Sequence, residues 1–266
     1  MIINSKYNFL KPYKVKKLLR LGRNFDGGYL VCSDTLKKCE NLVTLGVGDD
    51  ISFEIDFEKK KNSKNIKLYD YTVNNLLFIK IIFKYFRRLI TFRTSLNNFT
   101  YSIKNYLNFL KFLKKENVHL YKLRVVRKIK YHNDIDLRSI FKKINSNKNL
   151  LKIDIEGSEY EIINEIINYK SKIKMLIIEF HWINKNKKLF IQSVKKLKKN
   201  FDIIHIHANN YRSKKNSDDI FDVVELTMVN KKENQYHKNF RLNFPIKKLD
   251  YECFPHHKKI FFSFKN

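Results

Sequence analysis

The sequence predicts a mostly parallel α/β sheet that is finished by an antiparallel C-terminal hairpin and carries a helical insertion. Two observations predict this fold class. Short runs rich in Val and Ile alternate with helical patterns, and the last two runs lie too close in sequence for a crossover helix. With 266 residues and 43% hydrophobic content, the chain can bury one substantial core, so we expect a single domain over 1–266.

Four runs are nearly continuous in apolar residues, as is typical of strands buried on both faces of a parallel sheet. They are NLVTLGVG (41–48), NIKLYDY (65–71), NLLKIDIEG (149–157) and KMLIIEFHW (174–182). Open parallel sheets bind ligands at the carboxyl ends of their strands, so the polar residues that end these runs are candidate site residues.

Helical patterns follow the third and fourth runs. In GSEYEIINEIINY (157–169), isoleucines recur at helical spacing, Ser158 is a candidate N-cap, and Glu161 could complete a capping box. In KLFIQSVKKLKKN (188–200), the pattern predicts an amphipathic helix with Leu189 among its inward residues and lysines outward. The final runs, FDIIHIHANN and FDVVELTMVNK, are joined by a polar loop and should pair antiparallel.

Residues 74–117 do not fit the strand pattern. This stretch is dense in Phe, Ile and Leu with interspersed Lys and Arg, and its length favours two amphipathic helices. One interpretation is a helical insertion or lid that packs on the sheet edge or covers the active site. The alternative is a basic amphipathic surface for an anionic membrane or a lipid-linked substrate.

The chain is strongly basic, with 55 Lys and Arg against 26 Asp and Glu and a net charge of +29. Such a charge suggests nucleic acid or an anionic membrane. The abundance of Lys, Asn, Ile, Phe and Tyr is also the pattern that an AT-rich genome imposes on any protein, and no recognisable nucleic-acid module is present. We therefore expect no specific nucleic-acid partner.

Cysteine usage and the N-terminus bear on location. Cys32, Cys39 and Cys253 are an odd set without metal-like spacing, which indicates a reducing compartment. The N-terminal sequence is not that of a signal peptide, and the most apolar window is interrupted by Lys80. We expect a cytoplasmic protein, with peripheral contact to the inner face of the membrane as the open alternative.

The turn after the first strand indicates the kind of cofactor. Gly46 and Gly48 permit close backbone approach, but Asp49 beside them disfavours a pyrophosphate. S-adenosylmethionine (SAM) carries positively charged groups and has no phosphate, so it is compatible with a negative charge at this turn. Asp70 ends the second strand at the distance from which an acid commonly binds a ribose diol. The alternative is that Asp49 caps the next helix and Asp70 is a solvated loop acid.

The stretch LLKIDIEGSEYEII (150–163) resembles the KIDxEGxE signature of the FkbM-like methyltransferases, a SAM-dependent family. Further segments resemble the family's pattern in the same order: RLGRNFDGGYLV, LGVGDDISFE, LYDYT, IIEFH, IHANN and VVELTMV. The sequence departs from the pattern at Asp50, where the turn usually has Gly, and at Tyr71, where Pro is common. The resemblance implies a Rossmann-like class I methyltransferase fold. It also implies that SAM lies across the first two strands, contacted by Gly46, Gly48, Asp49, Asp70 and Tyr71, and that the acceptor is a hydroxyl.

Three residues are predicted to be catalytic. Asp154 ends the fourth strand of the resembled fold, beside the SAM methyl, and is the candidate base or acceptor orienter. Glu156 should share its strand face, and both could grip one hydroxyl or one cation. His181, at the end of the next strand, could accept the acceptor proton near neutral pH or be a structural bystander. With Glu179, these residues also have the chemistry of a divalent-metal site, which we do not assign.

The acceptor is predicted to contact Asp26, Glu179, His207 and Asn209. The alternatives are that Asp26 belongs only to an N-terminal hairpin and that His207 only flanks the core. The sequence therefore predicts a SAM-dependent O-methyltransferase that acts on a sugar hydroxyl of a surface polysaccharide or glycoconjugate. The rivals are a metal-dependent transferase or hydrolase that uses the acidic cluster, and a catalytically degenerate basic module that binds nucleic acid or membrane.

Overall fold

Seven strands form the central sheet in the computed structural model of the chain, which describes residues 1–61, 63–211, 220–233 and 239–265. In chain order they are β1 (Asn41–Leu45), β2 (Asn65–Tyr69), β3 (Val118–Tyr121), β4 (Asn149–Ile153), β5 (Ile173–Phe180), β6 (Phe201–Ala208) and β7 (Val224–Asn230). Across the sheet the order is β3-β2-β1-β4-β5-β7-β6.

The first five strands pair parallel with one another, whereas β7 pairs antiparallel with both β5 and β6. The predicted fold class, a mostly parallel sheet with an antiparallel C-terminal hairpin, is confirmed. The second strand of the hairpin lies inside the sheet, between β5 and β6, because it pairs with β5 over Met175–Phe180. Most of the polar loop that joins the hairpin, 212–219, lies outside the described residues.

Within the described ranges, the structure contains seven α-helices, which cover both faces of the sheet. They are α1 (Ser33–Lys38), α2 (Ser52–Lys61), α3 (Asn75–Ile90), α4 (Leu96–Leu113), α5 (Leu137–Lys142), α6 (Ile163–Asn168) and α7 (Ile183–Leu197). Helices α5, α6 and α7 contribute to one apolar cluster, and α1 to α4 contribute to the other. Among the described residues, no helix combines the length and apolar character needed to cross a membrane.

Short strands complete the structure outside the central sheet. They are Ile2–Ile3, Leu18–Leu21, Tyr29–Cys32, Arg124–Val125, Asp134–Ile135, Asn243–Phe244 and Phe262–Phe264. Leu18–Leu21 and Tyr29–Cys32 form an antiparallel hairpin, and Thr227 of β7 donates a hydrogen bond to the Leu30 carbonyl. This contact holds the N-terminal hairpin against the sheet.

Two local helix predictions are wrong. Ser158 has helical dihedrals (φ −84°, ψ −4°) and its side chain caps nothing, so the predicted capping box is not formed. A 3₁₀ turn over Glu159–Ile162 precedes α6. Helix α7 begins at Ile183 and buries a stripe that includes Phe190 and Val194, which leaves Leu189 on the exposed side.

The insertion consists of two helices, as the sequence predicts. Asn74 caps α3 and Ser95 caps α4, each side chain accepting a backbone hydrogen bond. Phe78 of α3 packs against Tyr106 and Phe109 of α4, with ring centroids 5.0 and 4.6 Å apart. The two helices are therefore held together mainly through one buried face of α3.

Candidate active site

Two cavities lie at the carboxyl edge of the sheet, on either side of Asp154. The first, of about 410 Å³, is bounded by the turns that follow β1, β2 and β4. Its lining includes Gly46, Gly48, Asp70, Tyr71, Asp154 and Glu156. Four of the five predicted cofactor residues therefore share one cavity, whereas Asp49 does not line it.

Gly46 permits the close approach of β1 and β4. It has a φ of +78°, and a Cβ at this position would lie 1.6 Å from the Asp154 carbonyl oxygen. Gly48 also has a positive φ, +65°, but a Cβ there would meet nothing within 4 Å. Gly46 is thus required for packing, and Gly48 is required only for backbone conformation.

Asp70 organises the turn after β1. Its Oδ2 accepts hydrogen bonds from the amides of Val47 (2.8 Å) and Gly48 (2.9 Å), and its Oδ1 accepts from the amide and hydroxyl of Thr72. The side chain is buried, so the alternative of a solvated loop acid is wrong. These four hydrogen bonds fix the carboxylate at the cavity wall.

Asp50, and not Asp49, ties this turn to its neighbours. Its Oδ1 accepts a hydrogen bond from the Ser52 amide at the start of α2, and its Oδ2 lies 3.2 Å from the Arg23 guanidinium. The Tyr101 hydroxyl of α4 donates to the same carboxylate at 3.4 Å. Asp49 is exposed, and its carbonyl accepts from the Asn105 side chain.

The second cavity, of about 270 Å³, gathers the predicted catalytic and acceptor residues. Its lining consists of Asp26, Asp154, Glu156, Glu179, His181, Trp182, Asn209, Tyr211, Val223 and Phe254. Every predicted catalytic residue and every predicted acceptor residue except His207 lines this cavity. Asp154 and Glu156 line both cavities, so they lie at the junction between them.

His181 lies at the centre of a carboxylate group. Its Nε2 is 3.7 Å from oxygens of Asp154, Glu156 and Glu179, and its Nδ1 is 3.2 Å from Glu159 Oε1. Burial alone would lower the pKa of His181, but the hydrogen bond and charge of Glu159, with the other carboxylates, raise it above its ordinary value. The imidazolium form is therefore more stable here than in a free histidine.

Glu159 positions His181, a role that sequence reasoning missed. It is fully buried, and its Oε1 accepts a hydrogen bond from the His181 amide at 2.6 Å. Its Oε2 accepts from the Gly157 amide at 2.8 Å. The carboxylate thus clamps the turn after β4 to the end of β5.

Asp154 is a carboxyl group with an altered proton affinity. Burial raises its pKa to about 6, against the opposing positive charges of Lys152 and His181. Lys152 is itself buried on β4, where its Nζ lies 3.3 Å from Glu54 Oε1. At neutral pH Asp154 is mostly ionised, and it can take up a proton at small cost.

Tyr29 bridges two carboxyl groups and was also missed. Its hydroxyl lies 3.4 Å from Asp154 Oδ2 and 3.3 Å from Glu179 Oε2, and it can donate to only one at a time. Asn209 donates to Glu179 Oε1 at 3.0 Å. Burial, with the charges of Asp154 and Glu225, raises the pKa of Glu179 well above its ordinary value, which favours its protonated form.

Glu156 does not share a strand face with Asp154, because β4 ends at Ile153. Glu156 has a φ of +52°, and its side chain is exposed. Trp182, which follows His181, has a φ of +55°. Two non-glycine residues in the left-handed region at one cavity store backbone strain of the kind that clusters at functional sites.

His207 does not line the second cavity, contrary to its predicted position. Glu179, Glu225 and His207 lie opposite one another on β5, β7 and β6, so Glu225 separates His207 from Glu179. The His207 ring lies 3.5 Å from both Asp250 Oδ1 and Cys253 Sγ. Burial raises the pKa of Glu225 to about 7.

Asp154, Glu156 and His181 could hold a metal ion. One ligand atom from each lies within 4.8 Å of the others, and two carboxylates with one imidazole suit several divalent cations. A cation there would compete with the proton on His181.

A family model matches most of the chain. The family model described as "Methyltransferase FkbM domain" matches residues 26–252. Among curated proteins, none matches the chain significantly.

Several solved structures match at low identity. A putative rRNA-methylase from Clostridium thermocellum is 9% identical, over 72% of this chain and 86% of that one, with a TM-score of 0.38. TrmK of M. capricolum, solved with S-adenosyl-homocysteine, is 16% identical over 76% and 67%, with a TM-score of 0.37. The spermidine synthase of Thermotoga maritima is 10% identical over 74% and 56%, with a TM-score of 0.42.

Proposed function

Because the chain belongs to the FkbM methyltransferase family, and is therefore a SAM-dependent methyltransferase, we propose that it methylates a sugar hydroxyl of a surface polysaccharide or similar glycoconjugate. The single observation that carries the acceptor class is the lining of the second cavity. Its aromatic side chains, Trp182, Tyr211 and Phe254, stand beside four carboxyl groups and one amide. A sugar presents apolar ring faces and many hydroxyls, and this lining offers partners for both.

The first cavity fits SAM. Its volume is in the range of roughly 300 to 1,000 Å³ that is typical of small-ligand sites. Asp70 would fix the turn that contains the positive-φ Gly48, against which the ribose and the adjacent chain would lie. Leu123, Val125 and Ile155 offer an apolar wall for the adenine. When bound, SAM supplies the electrophilic methyl group.

Asp154 is the proposed base. It lies where the two cavities meet, and its pKa of about 6 leaves it ionised at neutral pH. It can accept the hydroxyl proton of an acceptor as the new bond forms. His181, with its raised pKa, is a poorer base at the same pH, and we assign it to holding Asp154 and Glu156 in place by charge.

Glu179 and Tyr29 are proposed to orient the acceptor. A protonated Glu179 can donate a hydrogen bond to a second hydroxyl, and Asn209 fixes its other oxygen. Tyr29 contacts Asp154 and Glu179, and therefore couples the base to the acceptor contacts. Asp26, on the same cavity wall, completes the polar surface.

Two measurements on the purified full chain test the proposal. Titration calorimetry with SAM, in chelator, should show binding that Asp70→Ala weakens by about tenfold or more, because the turn after β1 loses its anchor. Labelled SAM incubated with a cell-envelope extract should place the label in an O-methyl sugar after acid hydrolysis. Label confined to protein or RNA would refute the sugar assignment, and SAM binding unaffected by Asp70→Ala would refute the cofactor site.

A requirement for a divalent cation is a second possibility that the Asp154, Glu156 and His181 geometry favours. In that case chelator would abolish methyl transfer while SAM binding persists, and Mg²⁺ or Mn²⁺ would restore it. Transfer that continues at full rate in chelator excludes a metal requirement.

A further inference from the structure

An apolar stripe runs along the exposed side of α3. Five large side chains recur at spacings of three and four residues, and each is between 44% and 59% exposed: Leu76, Ile79, Phe83, Phe86 and Ile90. This spacing places them on one face of the helix. The face that α3 turns to α4 is centred on the buried Phe78. Phe86, at the edge of the stripe, also contacts Phe99 of α4, with ring centroids 5.9 Å apart. The other four side chains of the stripe lie outside the face that packs on α4.

The turn between α3 and α4 extends the stripe. Phe92 is 96% exposed and has a φ of +53°, a conformation that a bulky side chain adopts rarely. Leu96, at the start of α4, is also exposed. The end of the insertion at which α3 meets α4 thus exposes further apolar side chains to solvent.

Basic residues flank this stripe, and acidic residues are absent from both helices of the insertion. Between residues 71 and 115 the sequence has nine Lys and Arg and no Asp or Glu. At about 100° per residue, Lys80, Lys84, Arg87 and Arg88 follow the stripe around one side of α3. With Arg93, Phe83 and Thr91 they line a cavity of about 350 Å³.

We propose that α3 and the adjoining turn are a docking surface for an anionic lipid bilayer. An amphipathic helix that lies in a membrane interface combines an apolar face with Lys and Arg beside it, and anionic lipid headgroups attract the basic residues. A second copy of this chain is a poor occupant, because a symmetric contact would bring basic residues together without acids to oppose them. Nucleic acid would leave the Phe and Ile side chains unpartnered.

The insertion is attached to the cofactor side of the site. Tyr101 and Asn105 of α4 donate hydrogen bonds to Asp50 and to the Asp49 carbonyl, in the turn that follows β1. A docked insertion would hold the active-site edge close to the bilayer. This suits an acceptor that carries a lipid, a corollary that rests on the proposed function, whereas the docking itself does not.

Vesicle co-sedimentation of the full chain tests the proposal. Vesicles of phosphatidylcholine with about one third phosphatidylglycerol should bind the protein, and pure phosphatidylcholine should bind it far less. The double variant Ile79→Ser/Phe83→Ser should weaken partitioning by about tenfold or more, because two apolar side chains no longer enter the interface. The control is Leu189→Ser, which removes an exposed apolar side chain from α7 and should leave partitioning unchanged.

Two triple variants that remove the same net charge distinguish docking through α3 from a general attraction of the basic protein to anionic vesicles. Lys80→Gln/Lys84→Gln/Arg87→Gln should lower partitioning by on the order of a hundredfold at low salt. Lys59→Gln/Lys60→Gln/Lys128→Gln removes the same net charge from exposed positions elsewhere and should have a small effect. Equal losses in both triple variants would overturn the proposal.

Other outcomes would overturn it as well. These are equal binding to neutral and anionic vesicles, a dimer in light scattering that Ile79→Ser/Phe83→Ser dissociates, or an oligonucleotide that binds this surface while vesicles do not. Titration calorimetry with SAM on every variant shows, without any vesicles, whether the variant is folded and binds the cofactor. Loss of vesicle binding with SAM binding intact supports the docking surface, and failure of SAM binding in the wild type concerns only the proposed function.

Discussion

The two cavities that flank Asp154 are built in opposite ways. Half of the lining of the first comes from the ends of two neighbouring strands, β1 and β2, and its acid, Asp70, receives four hydrogen bonds. The second is assembled from distant segments, and burial raises the pKa values of its carboxyl groups Asp26, Asp154 and Glu179. The first cavity has satisfied polar groups, whereas the second has carboxyl groups with an increased affinity for protons.

This difference matches the two tasks of a methyltransferase. Cofactor binding requires a fixed shape, and a saturated Asp70 supplies it. Proton removal from a hydroxyl requires a carboxylate whose pKa is closer to neutrality than that of a free acid, and burial supplies that for Asp154. At this edge of the sheet, cofactor binding and proton removal are therefore assigned to two neighbouring cavities, and Asp154 lies between them.

The largest expected effect comes from neutralising that boundary residue. Asp154→Asn should lower methyl-transfer turnover by about 10² to 10⁴-fold, because the amide cannot accept the acceptor proton. SAM affinity should stay within a few fold of the wild type, since Asp70 and the turn after β1 are unchanged. Steady-state kinetics and calorimetry measure the two quantities.

The matched control is Glu161→Gln, an exposed acid in the 3₁₀ turn that follows Asp154 in the chain. It should leave turnover and SAM affinity unchanged. If Asp154→Asn weakened SAM binding as strongly as turnover, the division between the cavities would be wrong.

Next in size is the contrast between two glycines of the same turn. Gly46→Ala should destabilise the fold by about 3 kcal/mol or more, since it combines a left-handed residue with a Cβ that collides with the Asp154 carbonyl. Gly48→Ala incurs only the conformational cost, about 1 kcal/mol. Urea denaturation of both variants measures the difference, and equal losses would show that the β1–β4 approach is less tight than described.

A third prediction concerns Glu225, behind the second cavity. Its pKa is about 7 in the folded protein, above the ordinary value of 4.5. Between pH 4.5 and 7 the unfolded chain releases this proton while the folded protein keeps it, so stability falls as pH rises. Glu225→Gln keeps a neutral side chain, and it should raise the free energy of unfolding at pH 8 by on the order of 1 to 3 kcal/mol.

At pH 4.5 this variant and the wild type should have nearly equal stability. The comparison variant is Glu40→Gln, because hydrogen bonds from Lys148 and Lys64 lower the pKa of Glu40 rather than raise it. It should give no gain at pH 8. An equal gain in the free energy of unfolding in both variants would show that the change in net charge, and not the burial of Glu225, causes the gain.

The residues predicted to line the first cavity come together for reasons that are local in the sequence. Gly46, Gly48 and Asp70 stand at the ends of adjacent strands, so the apolar runs that predict β1 and β2 also place these residues together. The FkbM-like segments coincide with the same turns. Asp49 was the error there, because the neighbouring Asp50 receives the Ser52 amide and Asp49 faces outward.

The second cavity depends on long-range arrangement. The antiparallel hairpin was predicted, but the pairing of β7 with β5 was not, and this pairing separates His207 from Glu179. Tyr29 reaches Glu179 across 150 residues of sequence, a contact that no local pattern reveals. One local signal was available: Gly157 has a φ of +105°, and a glycine after Glu156 indicates that the strand has already ended.

The smallest expected effect is that of removing the Tyr29 hydroxyl, which contacts both Asp154 and Glu179. Tyr29→Phe keeps the ring that packs edge-on against Phe53, at 5.6 Å between centroids, and removes only the hydroxyl. Asp154 then loses a donor that favours its ionised form, so the midpoint of the rate increase with pH should move upward from about 6. Turnover at neutral pH should fall by about three- to tenfold, because one hydrogen bond to a charged group is lost. A lower rate with an unmoved midpoint would mean that Tyr29 acts on Glu179 and the acceptor alone, and the base would then be independent of the acceptor contacts.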